Sequence, residues 1–251
     1  MKYIYFDCYA GFDLQMALGA LIDMSENVKL AEMTAQKIVP SAGLFTESVK
    51  RQSMDALLAY FDISGQKDGN IEDFAERICT DDAMNSKIKR WLSLRDDGKK
   101  HDFAGELCEL VYFVACAELI KESGAEKVYI SAVGQGSGVI QKGNNIDFIP
   151  SKHTELLTKM TGIPTVDINV EDEILTPSAL AFLYVFGAEY MPPKAHDVIK
   201  SGYGAGAKLL SVPNIARCIL AKDEEDEVSL GFDCIFSEFS SEFATVSEMK
   251  K

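Results

Sequence analysis

The sequence predicts a layered α/β or α+β domain in which helices cover a mixed β-sheet, and two observations indicate this fold. Extended runs rich in β-branched and aromatic residues interleave with segments whose apolar residues recur at helical spacing. The 251 residues, 47% of them hydrophobic, can also bury a large core. We therefore expect one layered domain over residues 1–222, with a variable helical segment at 64–102, followed by an acidic extension at 223–251.

The N-terminal segment predicts a strand that hands over directly to a helix. Residues 2–6 are rich in tyrosine and isoleucine, as in a strand. Residues 13–24 carry apolar side chains at helical spacing, and Asp13 is suited to cap that helix. A second helical pattern covers 28–39, and 43–63 is typical of two extended segments with a short connection.

The middle of the chain predicts two short helices and one long central helix. Residues 71–78 and 82–94 have short helical patterns, whereas 103–122 are apolar on most sides, which is typical of a buried helix. Gly124 is suited to end the long helix. Polar loops are expected at 64–70 and 95–102.

The C-terminal half predicts strands and helices in alternation. Thr176 and Pro177 are a typical cap and first residue of a helix. The β-branched content of 127–133 indicates a strand, and the same holds for the closing strand at 216–221. The remaining predicted elements are a helix from Ser151 to about 160, a helix over 176–190, and a strand at 197–206 that enters a glycine-rich turn.

Composition excludes two classes of partner. A formal net charge of −14 argues against nucleic acid and against an anionic membrane surface, since both would be repelled. No apolar run reaches the roughly 18 residues of a membrane span. The six cysteines form no C-x-x-C pair and the start "MKYIYFDC" lacks the apolar core of a signal peptide, so we expect a reducing, cytoplasmic location. The acidic run at 223–227 reads as a solvated segment, and the phenylalanine-rich stretch at 230–243 as a closing strand or an oligomer contact.

Three glycine-bearing segments are candidate parts of a ligand site. Asp7, Cys8 and Gly11 lie between the first strand and the first helix, where ligands collect in layered α/β folds, although residue types alone favour a buried cysteine and a turn glycine with a structural role. "GQGSG" (134–138) and "GYGAG" (202–206) could cradle a phosphate or simply form tight turns. Tyr203 could pack on a planar ligand, and Asp7, Gly136 and Tyr203 are expected to line one cleft.

Metal and nucleophile signals in the sequence are weak. The three histidines lack metal-site spacing, and no nucleophile elbow or Ser/His/Asp set is recognisable. Cys8 could form a thiolate site with Cys108 or Cys218 only if the fold brings them together.

Four stretches, taken in order, resemble the N-terminal part of the nickel insertion protein family. They are "YFDCYAGFDLQMALGALIDM" (5–24), "GAEKVYISAVGQGSG" (124–138), "EDEILTPSALAFL" (171–183) and "GYGAGAKLLSVPNIARCIL" (202–220). The resemblance implies a cytoplasmic, metallochaperone-like lyase that inserts nickel into a pyridinium bis-thiocarboxylic acid mononucleotide, the precursor of the lactate racemase cofactor. It also implies CTP hydrolysis, with a divalent ion such as manganese.

The resemblance also suggests site residues and partners. Asp7 and Cys8 are the expected metal contacts. A separate chain carrying the C-terminal nucleotide-binding domain is the expected partner, with a homo-oligomer as a further expectation. The expected ligand-binding residues are Asp7, Gly11, Gly136, Ser137, Gly138, Glu173, Thr176, Tyr203, Gly204, Lys208, Asn214 and Arg217.

The chain departs from the family pattern where the family carries acids and histidines. Leu14, Gln15 and Met16 replace a Gly-Asp-Met triplet, and Cys108 and Tyr112 stand where two acids of the long helix align. Because carboxylates and imidazoles are good ligands for Ni²⁺, their loss weakens a metal site. Two hypotheses therefore remain: a divergent nickel-insertion protein, or a non-catalytic paralogue that keeps the fold as a ligand-binding or assembly module.

Overall fold

The computed structural model describes residues 1–63, 68–78, 81–96, 98, 102–142, 145–190 and 197–222. The predicted acidic run, the phenylalanine-rich stretch and parts of the two polar loops lie outside these ranges. The helices are α1 (Leu14–Ser25), α2 (Val28–Ile38), α3 (Ile71–Ile78), α4 (Asp82–Arg95), α5 (Phe103–Ser123), α6 (Lys152–Thr161) and α7 (Pro177–Val185). The strands are β1 (Lys2–Asp7), β2 (Gly43–Arg51), β3 (Met54–Asp62), β4 (Lys127–Ile130), β5 (Val133–Gln135), β6 (Gly138–Lys142), β7 (Asn145–Ile149), β8 (Thr165–Asp167), β9 (Glu189–Tyr190), β10 (Asp197–Ala205) and β11 (Ile215–Lys222).

A mixed seven-stranded sheet forms the centre of the fold. Its strand order is β2-β3-β10-β11-β1-β4-β9. Strand β11 runs antiparallel to both β1 and β10, while β1 pairs in parallel with β4 and β10 in parallel with β3. Strands β1, β3, β4 and β10 therefore end at one edge, and we call this edge, with the segments that follow those strands, the carboxyl edge.

One face of the sheet, the helix face, carries the main hydrophobic core. Alternate residues of β1, such as Ile4 and Phe6, point into this core together with side chains from the helices. Trp91 of α4 and Phe113 of α5 stack there at a centroid distance of 4.7 Å. The predicted layered architecture, with a mixed sheet covered by helices, is confirmed.

The other face, which we call the tyrosine face, has a different composition. Tyr3 and Tyr5 of β1 and Tyr129 of β4 form a small cluster there, and Tyr203 of β10 belongs to a second cluster. In the part of the chain that the structure describes, every residue of both clusters lies on a strand, so no helix contributes to the apolar packing of this face.

Local signals located most elements correctly. Asp13 caps α1 by accepting a hydrogen bond from the Met16 N–H at 2.6 Å, Thr176 caps α7, and Gly124 ends α5 with φ of 71°. Two predictions were wrong in extent. The helix predicted over 176–190 ends at Val185, where Gly187 adopts a positive φ and β9 follows, and the strand predicted over 127–133 breaks into β4 and β5.

The hairpin of β6 and β7 lies where the sequence predicted only a loop. Its register pairs Val139 with Phe148 and Gln141 with Ile146. Among the described helices, none is long and apolar enough to cross a bilayer.

Candidate functional site at the carboxyl edge

The turn after β1 is anchored by backbone hydrogen bonds from two other segments. The carbonyl of Cys8 accepts the N–H groups of Gly11 at 3.1 Å and of Gly134 at 2.9 Å. The N–H of Cys8 donates to Ser131 Oγ at 2.8 Å. Gly11 has φ of 101°, and a Cβ there would lie 2.6 Å from the carbonyl oxygen of Ile174. The turn therefore requires glycine for both conformation and space.

The segment "GQGSG" packs against the residues before α7. A Cβ at Gly136 would lie 1.9 Å from the carbonyl oxygen of Asp172, and one at Gly134 would lie 2.2 Å from that of Tyr9. The N–H of Ser137 donates to the Val170 carbonyl at 2.9 Å. Because N–H groups of this segment already have backbone acceptors, close packing explains these glycines better than a phosphate cradle does.

The segment "GYGAG" does not form the glycine-rich turn that the sequence predicted. Strand β10 continues through Ala205, paired with β11. A Cβ at Gly204 would lie 1.9 Å from the Met16 carbonyl oxygen, and one at Gly202 would lie 2.2 Å from the Met24 nitrogen. These glycines let α1 approach the strand, a contact between distant segments that local patterns do not reveal.

Three predicted ligand residues lie side by side across the tyrosine face. Asp7 on β1 pairs in register with Arg217 on β11, and Arg217 pairs with Tyr203 on β10. The Arg217 guanidinium lies over the Tyr203 ring, 5.6 Å from its centroid. We call Asp7, Arg217 and Tyr203 the arginine row. All three side chains are partly exposed.

A second charged group lies on the loop between β10 and β11. Lys208 Nζ contacts Asp172 Oδ1 at 2.5 Å. Burial raises the pKa of the Asp13 carboxyl, and its hydrogen bonds from Met16 and Gln15 and the charge of Lys208 act in the opposite direction. Lys208 is thus a cation between two acids at the start of α1 and before α7.

The loop that carries Lys208 is held firmly. The N–H of Gly206 donates to the Asn214 carbonyl at 2.9 Å, and Asn214 Nδ2 donates to the Lys208 carbonyl at 3.0 Å. From the last residue of β2, Arg51 Nη2 donates to the Gly206 carbonyl at 2.9 Å. Asn214, which the sequence placed in the ligand site, therefore shapes the loop from a buried position with φ of 49°.

The other predicted ligand residues have identifiable structural partners. Glu173 Oε1 accepts the Thr154 hydroxyl at 3.2 Å, and Ser137 Oγ donates to Asp167 Oδ1 at 3.0 Å. Gly138 begins β6 with φ of 111°, and Thr176 is the cap of α7. Of the expected cleft, the structure brings Asp7 and Tyr203 into one row. Gly136 lies instead against Asp172, next to the turn after β1.

Cys8 lies on the opposite side of the sheet from Asp7. Its side chain is fully buried in the helix-face core, and its thiol donates to the Phe6 carbonyl at 3.6 Å. Burial raises the pKa of the Cys8 thiol well above its ordinary value, and the Asp7 charge adds to this. Cys8 is therefore a protonated thiol at neutral pH, whereas a metal-ligating cysteine is a thiolate. The proposed Asp7–Cys8 metal contact stays a prediction.

The described ranges contain no group of three or more His, Cys, Asp or Glu side chains arranged to hold a metal ion. At the two positions where the family pattern has acids, burial raises the pKa of Cys108 to about 11, and the Tyr112 hydroxyl accepts the Phe61 N–H at 3.3 Å. His101 and His196 lie outside the described residues. Asp172 and Ser131 were missed by sequence reasoning. Only the acidic triplet at 171–173 gave a local signal for Asp172.

Comparisons with known proteins give one consistent answer. A family model described as "Nickel insertion protein" matches residues 100–237, more than half of the chain. Proteins named "Pyridinium-3,5-bisthiocarboxylic acid mononucleotide nickel insertion protein" are similar over 90% of this chain: 25% identical in Acetivibrio thermocellus and 24% in both Staphylococcus epidermidis and Desulfitobacterium hafniense. The alignments cover 62%, 61% and 60% of those relatives.

The chain thus spans about three fifths of the length of the curated relatives it matches. No solved structure matches it significantly. The four segments that carry the resemblance contact one another. The turn after β1 meets Gly134 and Ile174 at the carboxyl edge, and residues 202–204 pack against α1. The family match extends over most of the second half of the chain and the curated relatives over nearly all of it, so this chain belongs to the nickel insertion protein family.

Proposed function

We propose that this chain takes part in inserting nickel into a pyridinium-3,5-bisthiocarboxylic acid mononucleotide, the compound in the names of its relatives. The observation that carries the proposal is the grouping of charged residues at the carboxyl edge. Lys208 lies on the loop between β10 and β11, Arg217 lies on β11 just after this loop, and Asp7 comes from the other end of the sequence.

The chemistry of these residues suits an acidic, aromatic substrate. A mononucleotide with two thiocarboxylic acid groups is strongly anionic, and a guanidinium or an ammonium group binds such anions through charge-assisted hydrogen bonds. The chain as a whole carries a net charge of −14, so a local pair of cations would be needed to attract that substrate.

In this proposal nickel is a substrate, held mainly by the organic partner. Thiocarboxylate sulfur atoms are soft donors, which suit late first-row metals. Since the described residues contain no preformed three-ligand metal site, nickel would be bound once the mononucleotide is in place. The predicted metal contacts Asp7 and Cys8 lie on opposite sides of the sheet, so they would not hold one nickel ion together without a change in the turn, and Cys8→Ala tests the contribution of the thiol.

Further expectations follow from the resemblance. We expect the chain to act in the cytoplasm, with a separate chain supplying a C-terminal nucleotide-binding domain. CTP and manganese would enter through that partner, and a homo-oligomer is a further expectation. Measuring CTP binding to the purified chain, with and without manganese, tests whether the nucleotide requires the partner.

A second candidate function is a ligand-binding module that no longer transfers nickel. The full burial of the Cys8 side chain, and the presence of Cys108 and Tyr112 on α5 where the family pattern has acids, favour it. Such a module would bind the mononucleotide at the carboxyl edge and leave metal chemistry to another protein.

Equilibrium dialysis with elemental analysis separates the two functions. Nickel bound per chain is measured with and without the pyridinium-3,5-bisthiocarboxylic acid mononucleotide, for the unaltered protein, for Cys8→Ala and for Lys208→Met. Nickel retained only with the mononucleotide, and lost in Lys208→Met, supports insertion. Mononucleotide binding without nickel retention supports the module. Lys29→Met, at an exposed position on α2, is the matched control and should behave as the unaltered protein.

A further inference from the structure

Among the described residues, Arg217 has no anionic partner. Its Nε is buried and has no hydrogen-bond partner, and no acid in the described ranges lies within ion-pair distance of its guanidinium. Buried arginine nitrogens are normally hydrogen-bonded, so an unsatisfied one needs an explanation, and a bound ion is one of the explanations that apply to such groups.

The orientation of this guanidinium is fixed before any ligand arrives. It lies over the Tyr203 ring at 5.6 Å, which limits the planes that it can adopt. Tyr203 itself is held, because its N–H donates to Asp23 Oδ2 at 2.8 Å and its two neighbouring glycines are pressed against α1. A guanidinium held in this way loses little entropy when it binds a phosphate.

Asp7 provides a complementary group next to Arg217. Its Oδ1 accepts only a long hydrogen bond of 3.4 Å from the Tyr9 N–H, so the carboxylate has acceptor capacity left. It lies opposite Arg217 in register, on a strand about 4.8 Å away. An ionised carboxylate repels a phosphate but accepts hydrogen bonds from hydroxyl groups. The row therefore offers an anion site and a hydroxyl site side by side.

A ribose 5-phosphate presents these two kinds of group a few ångströms apart. We propose that the arginine row binds the ribosyl phosphate of a pyridinium mononucleotide, with Arg217 on the phosphate and Asp7 on the ribose hydroxyls. This inference rests on the proposed function for the identity of the base, and it assigns the nucleotide end of that substrate to the tyrosine face. Free inorganic phosphate would use Arg217 and would be repelled by Asp7.

Calorimetric titration with three probes tests this assignment. The probes are nicotinic acid mononucleotide, nicotinic acid riboside and inorganic phosphate. We expect the unaltered chain to bind the mononucleotide roughly tenfold or more tighter than the riboside, as expected for a charge-assisted phosphate contact. Arg217→Gln should remove that preference. Asp7→Asn should lower the affinity for the mononucleotide and for the riboside by a similar factor, and should leave the affinity for phosphate unchanged or raise it.

A matched control is available in a second arginine stacked on a tyrosine. Arg90 lies over the Tyr184 ring at 5.7 Å on the exposed side of α4, so Arg90→Gln should keep the full preference for the mononucleotide. Circular dichroism of each variant checks that the fold is retained. Equal affinity of the unaltered chain for mononucleotide and riboside, or a preference that survives Arg217→Gln, overturns the assignment.

The result also separates this inference from the proposed function. If Arg217-dependent mononucleotide binding is found without nickel retention, the assignment stands and nickel insertion fails. If nickel is retained with the mononucleotide while Arg217→Gln has no effect, the function stands and the assignment fails.

Discussion

Two arginines stacked on aromatic rings, in two regions of the molecule, differ in what surrounds them. Arg95, at the end of α4, lies in the helix layer, by which we mean the helices that cover the helix face of the sheet. Its guanidinium lies over the Trp91 ring at 5.2 Å and pairs with Glu106 at 2.8 Å and Glu109 at 3.2 Å. Arg217 on the tyrosine face has a similar ring contact and no acid within ion-pair distance among the described residues. The helix layer neutralises its buried charge internally, whereas on the tyrosine face the charge of Arg217 is, in our proposal, kept for a ligand.

The same division is visible within β1. Phe6 and Cys8 point into the helix-face core, and Tyr5 and Asp7 point to the tyrosine face. Because side chains alternate along a strand, β1 and the residue after it contribute to the core on one side and, in our proposal, to recognition on the other. Changes in the helix layer should therefore alter the free energy of unfolding, and changes in the arginine row should alter binding.

The largest expected difference is between the two arginines themselves. Arg95→Met removes the charge-assisted contacts to Glu106 and Glu109 together with the stacking on Trp91, and should lower the free energy of unfolding by about 3 kcal/mol. Arg217→Met should lower it by less than about 1 kcal/mol, since no ion pair is lost. Urea unfolding followed by circular dichroism measures both. Equal losses for the two variants would remove the distinction between the regions.

A smaller effect is expected from the helix–strand contact that positions Tyr203. Gly204→Ala places a methyl group against the backbone of Met16 and Ala20, and the overpacking should lower the free energy of unfolding by about 2–3 kcal/mol. Gly43→Ala is the control, because its Cβ would meet only the Phe45 ring at 3.4 Å. Thermal unfolding of the two variants, run side by side, gives the difference. A Gly204→Ala protein as stable as Gly43→Ala would mean that α1 can move away from β10.

Alkaline pH should lower the free energy of unfolding through the buried thiols on the helix face. Burial raises the pKa values of Cys8, Cys116 and Cys218 above the ordinary value of 9.0. Their contribution to stability is fully present below pH 9 and is lost as the pH rises above it, because the unfolded thiols then lose protons that the folded ones retain. Each thiol contributes a slope of up to about 1.4 kcal/mol per pH unit.

The double variant Cys8→Ala/Cys218→Ala tests this dependence. Urea unfolding between pH 8 and 10.5 should show a shallower decline for the variant than for the unaltered chain. Identical slopes would indicate that these thiols ionise in the folded protein, which would revive a thiolate role for Cys8.

The smallest expected change in the free energy of unfolding comes from Asp13, the N-cap of α1. Asp13→Ala removes the cap of α1 and should lower the free energy of unfolding by about 1 kcal/mol. Asp13→Asn keeps a capping oxygen and removes a carboxyl whose pKa is raised by burial, so its stability at pH 7 should equal or exceed that of the unaltered chain. A loss as large as that of the alanine variant would show that the charge, and with it the attraction to Lys208, is required.

Local sequence signals were sufficient for elements whose ends are set by neighbouring residues. Asp13, Thr176 and Gly124 marked helix ends correctly because capping is a contact over three or four residues. The continuation of β10 through its glycines could not be predicted in this way. It depends on pairing with β11 and on the approach of α1, and both partners lie far away in sequence.

The candidate site also combines residues that local signals indicated with contacts that only the fold creates. Asp7 and Tyr203 were singled out from their glycine-bearing segments and Arg217 through the family resemblance, but the row that they form depends on the strand order β10-β11-β1. The contact of Lys208 with Asp172 requires the loop that Arg51 and Asn214 hold in place. For Asn214 and Gly204, the structure shows a packing role, and the ligand contact that the resemblance implied stays a prediction. A resemblance marks which residues matter, and only the fold separates contact from support.

The paired glycines of α1 and β10 also constrain how this family can change over evolutionary time. A Cβ on Gly19 would lie 3.0 Å from the Gly204 Cα and 2.4 Å from the Leu57 carbonyl oxygen. Gly19 is needed because the backbones of β3 and β10 lie against it, and Gly204 because the backbone of α1 does. Neither position can accept a side chain while the helix and the strands keep these positions. We expect a lineage that acquires a side chain at one of them to show a compensating shift of the helix, and with it a changed position of the tyrosine that follows Gly202.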